Sequence, residues 1–220
     1  TTTGLIAHVL RLHYPTSYLI GDGTGKGVEN SRFFVFEACE YQRHFLAYRP
    51  DYAIITNIEH DHPDYFTDID DVLDAFNVFS NQTKKMVIAC GDDPEVKKLQ
   101  TSTNMMTYGL ESHNNVVAKN ILKTAEGTAF DVFINGEFYH TFNTLFFGDH
   151  MVLNSLAVIT VCYLEGLEAS IIDKDLRLFE GVKRRFAQKK HHTQIIIDDY
   201  AHHPTEIAAT LKAVRQKFPD

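Results

Sequence analysis

The sequence predicts an α/β fold: a mostly parallel sheet flanked by helices, with a small antiparallel sheet, followed by the truncated start of a second α/β domain. Three observations predict it. Two segments, 33–38 and 52–56, are nearly continuous apolar runs. Such runs are typical of parallel strands that are buried on both faces. Shorter alternating segments surround an Asn135-Gly136 turn signal. A strand pattern at 194–198 is followed closely by a helix pattern at 204–218, which indicates another α/β unit near the end of the sequence.

The other elements follow from local periodicity along the chain. Apolar residues at helical spacing predict a helix at the start of the sequence and three more, at 68–79, 150–164 and 170–179. Strands are predicted at 17–21 and 86–90, and the small antiparallel sheet at 115–144. Residues 91–94 are expected to open a helix with an Asp-Pro step. A basic connector at 181–186 separates the two α/β units.

Composition restricts the classes of partner. The net charge is −8, and 23% of the 220 residues are charged. An acidic chain lacks the basic face that nucleic-acid phosphates need, so we expect no nucleic-acid partner. No apolar run is long enough to span a bilayer, so we expect no membrane association. The three cysteines are Cys39, Cys90 and Cys162, which lie far apart in apolar runs. This pattern predicts buried free thiols and a cytoplasmic location.

Glu37 and His62 are the first candidate site residues. Each lies just after a predicted parallel strand, so both are expected at one edge of the sheet. A carboxylate and an imidazole there could hold magnesium against a triphosphate, or they could merely cap strand ends. His60 and His62 together could suggest zinc, but no cysteine pair supplies the remaining ligands, so zinc is disfavoured.

Phosphate-binding features are the second group. The glycine loop 21–27 does not match a phosphate loop, because Gly27 rather than Ser or Thr follows Lys26 and the upstream glycine is absent. We predict a flexible loop there. The Thr-Thr-Thr-Gly start of the first helix is what would follow a Gly-Lys-[Ser/Thr] loop, and that helix terminus suits phosphate.

Two segments around the domain boundary are also candidates. Lys183-Arg184-Arg185-Phe186 offers arginine forks that suit phosphate oxygens, although a solvated charge run is an equal alternative. The run from Asp198 to Pro204 places several polar and aromatic residues between a strand and a helix. Such a concentration favours function over simple capping.

Several short segments form one ordered pattern: Thr2-Thr3-Gly4-Leu5, Ile20-Gly21-Asp22-Gly23, Phe36-Glu37-Ala38-Cys39-Glu40, Thr56-Asn57-Ile58 with Asp61-His62, Gly148-Asp149-His150 with Leu153-Asn154, Arg184-Arg185-Phe186, and Asp198-Asp199-Tyr200-Ala201-His202-His203-Pro204. In this order and spacing they resemble the Mur ligase family, over essentially the whole chain. The resemblance implies a P-loop-type central ATP-binding domain at 1–183. It implies that 184–220 begins the C-terminal, amino-acid-binding domain.

The resemblance also implies roles for individual residues. It assigns magnesium to Glu37 and His62. It places a set of residues at the ATP: Thr2, Asn154, Arg185 and Asp199. It assigns catalysis to Arg185 and His202, and it places Tyr200 and His202 near the substrate. A second asparagine that the family often has at the adenine site is Met151 here.

The implied activity is an ATP- and magnesium-dependent ligase of peptidoglycan biosynthesis. The His-His-Pro element favours joining L-alanine to UDP-N-acetylmuramate through an acyl phosphate. A recycling ligase that adds a tripeptide to the same sugar, or a non-catalytic nucleotide-binding module, are the alternatives. The family's phosphate-loop lysine and UDP-binding domain are not in this sequence, so the 220 residues alone are expected to be inactive.

Overall fold

The computed structural model describes residues 1–219 and confirms the predicted α/β class. The chain forms two compact units. The first contains Thr1–Glu37, Asn120–Asp131 and the chain from His140 onward. The second contains Ala38–Lys119 and Val132–Tyr139.

Five α-helices have these bounds: α1 Thr2–His13, α2 Ile69–Gln82, α3 Asp149–Leu164, α4 Ala169–Arg177 and α5 Pro204–Lys217. Two 3-10 helices lie at Tyr41–Ala47 and Val96–Lys98. The strands of the first half are β1 Thr16–Leu19, β2 Gly25–Lys26, β3 Phe33–Phe36, β4 Tyr52–Ile55, β5 Met86–Cys90 and β6 Met105–Gly109. Those of the second half are β7 Val116–Lys123, β8 Thr128–Ile134, β9 Glu137–Thr144, β10 Ala187–His191 and β11 Gln194–Asp198.

A helical core organises the first unit. Helix α1 contacts α3, α4 and the strands β1 and β3. Its buried face carries Leu5, Val9 and Leu10. Helix α3 is apolar nearly all round, as expected for a helix that neighbours cover on several sides. The first turns of α1 and α3 therefore precede helix segments that are buried.

A three-stranded sheet places the predicted glycine loop beside Glu37. Strand β1 runs parallel to β3 and antiparallel to β2, in the order β2-β1-β3. The prediction of a loop throughout 21–27 was therefore incomplete, because Gly25–Lys26 pairs with β1 as a short strand. Leu19 is in register with Phe36, so the chain leaves both parallel strands at the same end.

The second unit is built on the strands β4, β5 and β6. They belong to a six-stranded sheet in the order β4-β5-β6-β7-β8-β9, in which the neighbours from β4 to β7 are parallel. The predicted antiparallel segment thus continues this sheet, and the two-residue turn Asn135-Gly136 joins β8 to β9. Stacked rings of Phe45 and Phe79 lie in the core, 4.7 Å apart. The residues of the last three strands are divided between the two units.

The last segment of the first unit contains a hairpin and α5. Strands β10 and β11 pair antiparallel from Ala187↔Asp198 to His191↔Gln194. Strand β10 escaped sequence prediction because its five residues, Ala-Gln-Lys-Lys-His, carry no apolar alternation. Helix α5 begins with a capping box in which His203 and Glu206 each accept a backbone N–H.

The cysteines and the segment after β5 differ in part from what the sequence predicts. Cys90 and Cys162 are buried, but the prediction was wrong for Cys39, which is exposed just after β3 ends. The helix expected from residues 91–94 is only the 3-10 turn Val96–Lys98. Among residues 1–219, no helix combines the length and the apolar character needed to cross a membrane.

Candidate functional site

The first turn of α1 is joined to α3 by two residues that were both predicted at the nucleotide. The Thr2 hydroxyl donates to Asn154 Oδ1 over 3.0 Å. The amide of Asn154 donates to Met151 Sδ over 3.7 Å, so the methionine occupies part of this neighbourhood. Thr1, the N-cap, makes no side-chain cap hydrogen bond. The first backbone N–H groups of α1 are therefore available to an anion.

Glu37 is held at the end of β3 by the loop that follows β1. Its Oε2 accepts the Gly21 N–H over 3.1 Å. A Cβ at position 21 would lie 2.3 Å from Oε1 of the same carboxylate, so only glycine allows this approach. The side chain is otherwise exposed, which leaves the carboxylate accessible to a ligand such as a cation.

Charged side chains converge on the amino end of α1. The charges of Glu37, Asp22, Arg185 and Asp199 all act on the backbone nitrogen of Thr1. Asp22 also connects this neighbourhood to the connector, since its Oδ2 accepts the Lys183 N–H over 3.3 Å. The structure thus brings the predicted residues Thr2, Glu37, Arg185 and Asp199 to one region of the first unit.

Arg185 lies in a sharply turned part of the connector. Its neighbours Arg184 and Phe186 have φ values of 56° and 51°. Arg185 Nη1 is 3.5 Å from Glu206 Oε1. Both guanidinium groups lie over the Tyr200 ring, that of Arg184 at 4.6 Å from its centroid and that of Arg185 at 5.8 Å. The two adjacent arginines therefore share one aromatic neighbour and differ in the ion pair of Arg185 with Glu206.

Asp199 braces the segment after β11 against the connector. Its Oδ2 accepts the Phe186 N–H over 2.8 Å, and its Oδ1 accepts the Ala201 N–H over 2.9 Å. Both oxygens are engaged by backbone amides, so the structure shows a positioning contact. A contact with the nucleotide stays a prediction.

Glu206 connects Arg185 to His202, and sequence reasoning missed it. Nδ1 of His202 is 3.5 Å from Glu206 Oε2 and 3.2 Å from the Tyr200 carbonyl oxygen. Burial raises the pKa of Glu206, but the N–H donors of His202 and His203 and the charge of Arg185 outweigh it, so the pKa is lowered. The His-x-x-Glu spacing of a capping box was the signal that could have found this residue.

His150 carries a buried polar atom without a partner. Within residues 1–219, its Nδ1 has no hydrogen bond. Burial lowers the pKa of His150, and the charge of Arg185 lowers it further, against the opposing charges of Asp199 and Asp149. The neutral imidazole in the first turn of α3 therefore keeps a buried, unpaired Nδ1 that faces the backbone of Gly148.

The lowered pKa of His150 predicts a pH-dependent stability. The unfolded chain binds a proton at a histidine near pH 6.5, whereas the buried imidazole resists protonation. Above that pH the group contributes nothing, and the free energy of unfolding is expected to fall as the pH drops from about 7 to about 5. Urea unfolding across that range should show a smaller decline in His150→Gln. An unchanged decline would contradict the prediction.

His62 belongs to a cluster in the second unit. Its Nε2 is 3.3 Å from Glu40 Oε1 and 3.8 Å from Asp61 Oδ2. These three side chains could each offer one atom to a metal ion. The acidic residues Glu40 and Asp61 were not predicted as site residues. Glu40 lies three residues after Glu37, and Asp61 lies directly before His62. These positions next to predicted site residues could have indicated both as candidates.

Contrary to the prediction, Glu37 and His62 do not follow strands of the same sheet. Strand β3 lies in the three-stranded sheet and β4 in the six-stranded one, because apolar runs identify strands without identifying their partners. Magnesium binding by both residues stays a prediction. The disfavoured zinc pair finds no support, since His60 Nε2 lies 3.0 Å from the Phe66 carbonyl oxygen instead.

Two family models match the sequence. Residues 1–162 match the Mur ligase middle domain, and residues 184–220 match the Mur ligase, glutamate ligase domain. The predicted boundary after residue 183 lies between the two matches and stays a prediction.

Solved structures of three ligases are similar to this chain. UDP-N-acetylmuramate-alanine ligase MurC from Thermotoga maritima has 27% sequence identity and a TM-score of 0.86, over 100% of this chain and 52% of that one. The fold also matches MurF ligase from Thermotoga maritima in complex with ADP, with 18% identity, a TM-score of 0.80, and 98% and 54% of the chains covered.

The third is UDP-N-acetylmuramate:L-alanyl-gamma-D-glutamyl-meso-diaminopimelate ligase from Neisseria meningitides. It has 24% identity and a TM-score of 0.71, over 83% of this chain and 63% of that one. The present chain thus spans between about half and two thirds of the length of these structures.

Proposed function

This chain belongs to the Mur ligase family, and on that premise we propose that it is part of a cytoplasmic, ATP-dependent enzyme that joins L-alanine to UDP-N-acetylmuramate. The observation that carries the proposal is the match along the whole chain to an alanine ligase, at a TM-score of 0.86. The proposed domains are the central ATP-binding domain at 1–183 and the start of the amino-acid-binding domain at 184–220. Neither nucleic acid nor membrane is a partner in this proposal.

The residues at the amino end of α1 fit a nucleotide. Free N–H groups in the first turn suit phosphate oxygens, and the amide of Asn154 suits a polar edge of a base. Arg185 supplies a cation to the same region. The similar MurF ligase was solved in complex with ADP, which agrees with a nucleotide site in this fold.

Oxygen ligands near this site fit magnesium. The exposed carboxylate of Glu37 and the Thr2 hydroxyl are hard donors in the first unit. We propose Glu37 and His62 as the metal-binding side chains. Bound there, magnesium would neutralise negative charge between ATP and the carboxylate that attacks it.

The remaining roles belong to groups of the chain itself. Attack of the sugar carboxylate on the γ-phosphorus brings two anions together, so Arg185 would neutralise charge on the transferring phosphoryl group. His202 would position the acyl phosphate or accept a proton from the amine of L-alanine, and Tyr200 would line the same place. Asp199 would keep Arg185 in position through the Phe186 amide.

A second candidate is a recycling ligase that joins a tripeptide to the same sugar. The similar ligase from Neisseria meningitides, which carries that peptide in its name, supports it at 24% identity. A non-catalytic nucleotide-binding module is less well supported, because a binder would not need Arg185, Glu37 and His202 together.

Phosphate release by the complete enzyme tests these candidates. ATP, magnesium and UDP-N-acetylmuramate are supplied with L-alanine, with the tripeptide, or with no acceptor. Alanine-dependent release is the expected result. Release only with the tripeptide would replace the proposal by the recycling ligase, and no release with any acceptor would favour the non-catalytic module.

A further inference from the structure

Gln216 in α5 makes hydrogen bonds to two other parts of the first unit. Its Oε1 accepts the Gly148 N–H over 2.8 Å. Its Nε2 lies 3.2 Å from the carbonyl oxygens of Thr124 and Gly127 and 3.0 Å from Thr128 Oγ1. One side chain thus satisfies the residue that caps α3 and the turn between β7 and β8.

Packing around Gln216 is equally close. Ala213, one turn earlier in α5, is fully buried. A Cβ at position 148 would lie 3.1 Å from Ala213 Cβ and 2.8 Å from His150 Nδ1, and Gly148 has a φ of 84°. Position 148 therefore requires glycine, and its missing side chain makes room for α5 on one side and His150 on the other.

Phe147 extends the same contact toward the connector. Lys217 Nζ lies 4.6 Å from the centroid of the Phe147 ring. On its other side, Phe147 stacks on Phe186, with centroids 5.8 Å apart. The segment matched by the second family model thus meets the segment matched by the first at both ends, through α5 and through the residue after Arg185.

We infer that Gln216 is a positioning residue, which holds α5 on the capping residue of α3 and so keeps Arg185 and Asp199 beside His150 and Asn154. Phe186 connects these residues to the start of α3, because its N–H donates to Asp199 and its ring stacks on Phe147. The inference rests on the proposed function in taking this region to be the nucleotide site. The hydrogen bonds of Gln216 stand independently of it.

The hydrogen bonds of Gln216 to Gly148 and to the β7–β8 turn, called the latch below, should have a characteristic kinetic effect. We take the arrangement in which α5 is docked on α3 to be the one that binds ATP. Losing the Gln216 contacts then lowers the fraction of enzyme molecules in that arrangement and weakens the apparent affinity for ATP, whereas saturating ATP restores it. A residue that only stabilised the fold would instead reduce the amount of active enzyme. That would lower kcat and leave the KM for ATP unchanged.

The test uses Gln216→Ala in the complete enzyme, with Lys212→Ala as the matched control on the exposed face of α5. We expect the KM for ATP to rise about fivefold in Gln216→Ala, with kcat at saturating ATP within about twofold of the parent. Lys212→Ala should match the parent in both constants. A lowered kcat with an unchanged KM would overturn the inference.

Hydrogen exchange supplies a readout that does not need activity. The Gly148 N–H should exchange faster in Gln216→Ala than in the parent or in Lys212→Ala, because Gln216 is its acceptor. Gln216→Glu keeps an acceptor for Gly148 but sets a carboxylate oxygen against the carbonyls of Thr124 and Gly127. It should also raise the KM.

The two readouts separate failure of the latch from failure of the proposed function. Unchanged exchange at Gly148 in Gln216→Ala would refute the latch, whatever the enzyme does. Faster exchange in an enzyme that releases no phosphate with any acceptor would leave the latch standing and refute the function.

Discussion

Replacing Arg185 by alanine in the complete enzyme is expected to lower kcat by about 10³-fold, a loss typical of an arginine that neutralises a transferring phosphoryl group. Stability should change little. The only ion pair that the structure describes for Arg185 joins it to Glu206, and these side chains are 35% and 37% exposed. An exposed pair of this kind is worth less than about 1 kcal/mol. Turnover and thermal unfolding of the same preparation measure both effects.

Arg184→Ala is the matched control for this prediction. Arg184 has the same charge, is adjacent in sequence and also lies over the Tyr200 ring, but the ion pair with Glu206 that the structure describes belongs to Arg185. We expect its loss to reduce kcat by less than about tenfold. Equal losses in the two variants would point to the general charge of the connector, and normal turnover in Arg185→Ala would remove its assigned role.

Replacing Glu37 by glutamine is the second large effect that we expect. The amide keeps the shape of the side chain and can still accept the Gly21 N–H, but it loses the charge that a magnesium ligand supplies. Turnover should fall by about 10²-fold, and the magnesium concentration for half-maximal rate should rise. A magnesium titration of the rate, together with Mn²⁺ binding followed by electron paramagnetic resonance, measures these changes.

Glu29→Gln removes the same charge from an exposed position of the same unit and should leave both quantities unchanged. Gly21→Ala is a useful companion, since its Cβ would displace the carboxylate of Glu37 without removing it. That variant should weaken metal binding in the same direction. Normal metal binding in Glu37→Gln would exclude the carboxylate as a ligand.

The strands that were predicted well share one property, which is a continuous apolar run. Met86–Cys90 was predicted at both ends, and the predictions for β3, β4 and β11 differ from the structure by at most two residues. Burial accounts for the apolar run of β5, whereas Ile195 and Ile196 of β11 are 51% and 49% exposed although they belong to such a run. Helix α3 was found for the same reason, since its apolar surface had to be covered.

Other features could not be found in the same way because they depend on distant partners. Strand β10 is polar and exists through its pairing with β11. The sheet membership of β3 and β4 is decided by neighbours that lie elsewhere in the chain. Gln216 is an ordinary polar residue on an amphipathic helix, and only the positions of Gly148 and the β7–β8 turn give it a role.

One contact within the candidate site agrees with the local motifs. Thr2 and Asn154, both predicted at the nucleotide, are joined by a hydrogen bond although 152 positions separate them, and their role there stays a prediction. The resemblance could not reveal that both oxygens of Asp199 are taken by backbone amides, nor that Glu206 connects Arg185 to His202. Those relations depend on backbone geometry.

The unequal burial of the three cysteines makes this chain convenient for spectroscopy. Burial raises the pKa of the Cys90 thiol and raises that of Cys162 to about 12, so neither supplies much thiolate to an alkylating reagent. Cys39 is exposed and lies two positions after Glu37. Within residues 1–219, a maleimide fluorophore should therefore attach at Cys39, and peptide mapping of the labelled protein would verify it. The dye would report on magnesium binding without any engineered cysteine.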